Sequence, residues 1–125
     1  MRFEVEALEI FKRQLKRLAK RYRSLPTDIA ALGASLQKDP QQGVVIKPGV
    51  RKVRLAIKSK GRGKSGGARI ITYFNVYERP DAEEGLLLLV AIYDRSEVSS
   101  LPDSLLQEYI ELAIQHAETR HSDDS

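Results

Sequence analysis

The sequence predicts an α+β domain: a small, mostly antiparallel sheet with two N-terminal helices and one C-terminal helix. Three observations carry this expectation. Apolar residues alternate with period two over residues 2–8, 51–58 and 69–77, and run unbroken through LLLLVAIY at 86–93. They recur at helical spacing from about Leu8 to Tyr22, from Ser24 to Leu36 and again from Ser100 to His116. The resulting order is strand, helix, helix, strand, strand, strand, helix, in which like elements are grouped rather than alternated, so the helices are expected mainly on one face of the sheet.

The elements follow in turn. RFEVEAL sets Phe3, Val5 and Ala7 against Arg2, Glu4 and Glu6, a strand with one buried face at or near the sheet edge. Phe11, Leu15, Leu18 and Tyr22 then form a helical stripe, with Lys12, Arg13, Lys16, Arg17, Lys20 and Arg21 on the other side. SLPTDIAAL restarts a helix, with proline in its first turn, Asp28 near the positive end of the dipole, and Ile29, Leu32 and Leu36 as the inner stripe. Asp39-Pro40-Gln41-Gln42-Gly43 stops it, and Lys47-Pro48-Gly49 leads into the next strand.

In that strand Val53, Leu55 and Ile57 face one way and Lys52, Arg54 and Lys58 the other. RIITYFNVY at 69–77 is the antiparallel return. LLLLVAIY is apolar on both sides, as an interior strand requires. SLPDSLLQEYIELAIQH opens the last helix, with Leu105, Tyr109, Leu112 and His116 near one stripe. A single domain over residues 1–120 and a disordered tail over 121–125 are expected.

Charge is distributed unevenly. Residues 1–78 carry 18 basic and 6 acidic side chains, whereas residues 79–125 carry 3 basic and 11 acidic. Nine basic residues and no acid lie between Lys47 and Arg69, on alternating strand positions and a glycine-rich turn, which points to a polyanionic partner. With no cysteine there is no disulfide or thiolate metal site, and His116 and His121 lack ligand-type neighbours in the sequence, so no metal or cofactor is expected. MRFEVEALEIF interrupts its apolar residues with acids, unlike a signal peptide, and no run reaches the length of a membrane span; a cytoplasmic protein is expected.

Gly63-Lys64-Ser65 matches the end of a phosphate-binding P-loop, but Lys58 stands where its first glycine belongs, and strand formers rather than a helix follow. The glycines fit a hairpin connection whose backbone can approach a phosphodiester, with Lys60, Arg62 and Lys64 beside it.

These stretches, FKRQLKRLAKRYRSLPTDIAAL, GVRKVRLAI, GRGKSGGARIITYF and LLLLVAIYDRSEV, resemble the RelE/HigB-like toxins of bacterial toxin–antitoxin pairs, nearest the HigB-type subgroup. The resemblance runs from Phe11 to Leu112. It implies the RelE-like microbial RNase fold, ribosome-dependent cleavage of messenger RNA by metal-independent attack of a ribose 2′-hydroxyl, contact with ribosomal RNA, and a helix-turn-helix antitoxin as partner. By motif, it implies Arg69 at the scissile phosphate, Lys52 and Arg54 as the basic pair on the preceding strand, Arg95 after the last strand and Lys64 in the loop. Lys58, Lys60 and Arg62, with Lys16 and Lys20 of the first helix, complete the expected RNA-binding set.

The archetypal RelE toxin has a tyrosine after RSEV where this chain has Ser99. Tyr93 and then Tyr73 are the candidate substitutes as proton carriers, a role for which a phenol pKa normally near 10 would need lowering by the neighbouring cations. Two other functions fit the charge: a ParE-like gyrase inhibitor, although those relatives generally lack this arginine and lysine set, and a non-catalytic RNA-binding module.

Overall fold

A computed structural model describes residues 2–61, 63, 66–78 and 80–124, with side chains described only as far as residue 120. The elements are β1 (Arg2–Ala7), α1 (Glu9–Arg21), α2 (Leu25–Lys38), β2 (Val44–Lys47), β3 (Val50–Leu55), β4 (Ala68–Glu78), β5 (Glu83–Asp94) and α3 (Asp103–Asp124). A single 3₁₀ turn, Lys58–Lys60, follows β3. The α+β class holds. The sheet, however, has five strands in the order β1-β5-β4-β3-β2, and it is mixed, because β1 runs parallel to β5 while the other three pairings are antiparallel.

The additional strand is β2. Its Val44 and Val45 are 66% and 57% exposed, so it lacks the inside–outside alternation that marks the other strands in sequence. It pairs with β3 across a turn at Gly49, whose φ of +75° favours glycine. β1 lies at the opposite edge, as its pattern predicts, and β5 is interior. Where β1 ends, Gln14 of α1 takes over its pairing role: its Oε1 accepts the Ile92 N–H at 2.9 Å.

The helices cover both faces, which corrects the expectation of one helical layer. Phe11 and Leu18 of α1 and Leu25, Leu32 and Leu36 of α2 pack with Val53, Leu55, Ile70, Phe74, Leu87 and Ile92. On the other face Tyr109, Ile110, Ala113 and Ala117 of α3 pack with Val50, Ile71, Leu86, Leu88 and Ala91. The reason lies in β4 and β5, which are apolar on both sides and need a second cover. The inner stripe of α3 is therefore rotated from the expected one, and Leu112 is 47% exposed. α3 also continues to Asp124, into the stretch expected to be a tail.

Two contacts fix the basic hairpin between β3 and β4. Gly67 passes so close to β3 that a Cβ there would lie 2.0 Å from the Leu55 carbonyl oxygen, so only glycine fits. Ser59 and Ser24 exchange hydrogen bonds, the Ser59 N–H donating to Ser24 Oγ at 2.8 Å, which joins the 3₁₀ turn to the start of α2.

Candidate nucleic-acid interface

On the face covered by α3, the strand register aligns three of the sequence-derived site residues. Arg54 of β3 lies opposite Arg69 of β4, and Arg69 lies opposite Tyr93 of β5. Arg95 follows just beyond β5, held by its N–H to the Gly67 carbonyl at 3.0 Å. Lys52 is one step along β3 on the same side, opposite Ile71.

Arg69 is 6% exposed, and its Nη1 donates to the Ala68 carbonyl at 3.2 Å. Burial lowers its pKa, and the like charges of Arg54 and Arg95 lower it further, while Tyr93 acts in the opposite sense. Arg54 and Arg95 are exposed, and neither they nor Lys52 makes an ion pair with a described residue. Positive charge is thus concentrated along the row, and no described carboxylate pairs with Lys52, Arg54 or Arg95, which leaves these three open to an anionic ligand.

Tyr93 is buried, and its hydroxyl makes no hydrogen bond among the described residues. Burial raises its pKa by more than Arg69 and Arg95 lower it. The lowering that the role as a base would need is outweighed by burial, so Tyr93 stays protonated at neutral pH and can donate a proton but not accept one. Tyr73 is likewise raised, by burial first and by Glu118 second.

Other expected residues lie elsewhere. Lys60 Nζ donates to Asp94 Oδ1 at 2.6 Å and to Ser96 Oγ at 2.8 Å, and lies 5.2 Å from the centre of the Tyr22 ring. Lys58 is exposed, and its N–H donates to Asp28 Oδ2 at 3.1 Å. Lys16 and Lys20 are exposed on α1, which packs on the opposite side of the sheet from the row; Lys20 borders a cleft of about 630 Å³ with Arg21, Arg23 and Ser59. Arg62 and Lys64 lie outside the described residues. His116 is far from the row, its Nε2 paired with Glu6 Oε1 at 2.9 Å.

A concavity of about 420 Å³ adjoins the row, and its lining includes Lys47, Lys52, Ile71, Tyr93, Leu101, Asp103 and Leu106. Its outer wall leaves no signal in the sequence: SLPDSLL reads as a helix start, and nothing in it indicates that Leu101, just before α3, and Asp103, its first residue, line a concavity with Lys52 of β3. Among the described residues no group of histidines and acids could hold a metal ion, and no helix is long and apolar enough to cross a membrane.

No protein-family model matches the chain, and no solved structure matches it significantly.

Proposed function

We propose that this protein is the toxin of a toxin–antitoxin pair, a RelE/HigB-like, ribosome-dependent mRNA endonuclease that inhibits translation in the cytoplasm and is restrained by a helix-turn-helix antitoxin. One observation carries the reading: Arg54, Arg69 and Tyr93 stand in register across three strands, with Lys52 and Arg95 beside them and no described carboxylate paired to Lys52, Arg54 or Arg95. The ribose 2′-oxygen bonds to phosphorus as the bond from phosphorus to the 5′-oxygen breaks, which leaves a cyclic phosphate and a 5′-hydroxyl. Arginine forks hold the strand and stabilise the charge gathering on the phosphorane oxygens. The 2′-hydroxyl proton leaves to water, and Tyr93, kept protonated by burial, supplies the proton that the departing 5′-oxygen takes up.

Induced expression should slow growth and create new mRNA 5′ ends detectable by primer extension, and Arg69→Gln should abolish both while the far-UV spectrum is retained. Folded wild-type protein that does neither refutes the reading. One observation favours a second reading, a non-catalytic RNA-binding module: with both tyrosine pKa values raised, neither phenol can serve as a base. RNA binding that weakens with salt, without new ends and unaffected by Tyr93→Phe, would support it.

A further inference from the structure

The concavity beside the arginine row shares Lys52 and Tyr93 with it and extends beyond it to Leu101, Asp103 and Leu106. Its volume of about 420 Å³ admits a single base, and its lining is mixed: Ile71, Leu101 and Leu106 are apolar, Lys47 and Lys52 are donors, and its one carboxylate is Asp103. Lys52 and Asp103 make no ion pair with each other, so each retains its hydrogen-bonding capacity. Tyr93 borders both the concavity and the row, which sets the two subsites side by side.

We propose that this concavity receives an unstacked nucleobase adjacent to the phosphate held by the row, and that Asp103 selects bases bearing an exocyclic amine against uracil. The inference rests on the RNA-cleaving reading above and names the specificity of that same site. Apolar side chains cover the faces of an unstacked base, and its polar edge is left to the groups at the rim. A carboxylate accepts a hydrogen bond from the N4 amine of cytosine, whereas the O4 carbonyl of uracil presents a second acceptor that it repels. Lys52 can donate to the ring nitrogen or O2. A wholly apolar ligand would strip Lys47, Lys52 and Asp103 of water without replacing its hydrogen bonds.

The test is a fluorescence anisotropy titration of labelled, 2′-O-methyl runs of six cytidines and six uridines at one salt concentration, with wild-type protein and with Asp103→Asn. Cytosine and uracil match in size and differ at position 4 and at N3, so the Asp103→Asn variant is what assigns the difference to the carboxylate. Wild type should bind the cytidine run about tenfold more tightly, and the ratio should fall towards one in Asp103→Asn. Equal affinities in wild type, or a ratio unchanged in the variant, would overturn the inference while leaving RNA cleavage intact if new mRNA ends still appear. If neither run binds and expression produces no new ends, the functional reading falls with it.

Discussion

Asp94 holds the basic turn to the helical layer through three side chains. Lys60 Nζ and Ser96 Oγ donate to its Oδ1, and the Tyr22 hydroxyl donates to its Oδ2. Burial alone would raise its pKa, but the bonds from Lys60, Tyr22 and Ser96 outweigh it and hold the carboxyl well below the ordinary aspartate range. A carboxylate depressed in the folded state contributes stability that is present above its unfolded pKa, near 4, and is lost as pH falls below that value. Asp94→Asn should therefore destabilise the protein by about 3–5 kcal/mol at neutral pH, because it removes the charged partner of the mostly buried Lys60 ammonium, and should flatten the acid limb of a chemical-denaturation series.

Tyr93 offers the complementary case. Its buried hydroxyl has no described partner, so Tyr93→Phe should leave stability unchanged or raise it by about 1 kcal/mol while slowing cleavage. A group that costs stability but serves activity gives that pattern, whereas loss of both in parallel would mark it as structural.

At the scale of elements, α3 makes the second core and with it the concavity. Ala113 is fully buried, whereas Leu112, one residue earlier, is 47% exposed. Ala113→Leu should cost about 1–3 kcal/mol by overpacking, and Leu112→Ala no more than about 0.5 kcal/mol, both measured by urea unfolding. The reverse order would restore the stripe expected from sequence. The far end of α3 is tied to β1: burial acts to raise the Glu6 pKa, but the hydrogen bonds from His116 and Arg120 prevail and lower it, and Arg120 also reaches Glu4.

The strands were more legible than the helix faces. The period-two pattern put Val53, Leu55, Ile70 and Phe74 in one core and Lys52, Arg54 and Arg69 on the other side, which is how the register arranges them. β2 escaped because an exposed edge strand need not alternate. The side chosen by α3 escaped because an amphipathic stripe states that a helix packs, not against which face. Within the candidate site, the charges were readable from composition, but the direction of the Tyr93 pKa was not, since it depends on how deeply the fold buries the ring.

At the scale of the molecule, the basic two-thirds and the acidic last third divide the labour: α3 closes one face of the sheet, and the exposed cations around Arg69 remain available to a polyanion. If Arg54, Arg69 and Arg95 each neutralise one phosphate of a single strand, log K should fall with log salt at a slope of about −2, and Arg54→Ala should reduce that slope by roughly 0.7. A slope near zero would remove electrostatics from the account.

Transesterification directed by the arginine row, as proposed above, is tested most directly by the chemistry of the cut ends. Purified protein should be mixed with ribosomes programmed with a defined mRNA, and the fragments analysed for their end groups. Wild type should yield fragments with 2′,3′-cyclic phosphate and 5′-hydroxyl termini, and Arg69→Gln none. Intact mRNA in the presence of folded wild-type protein, or fragments bearing 5′-phosphates, would contradict it.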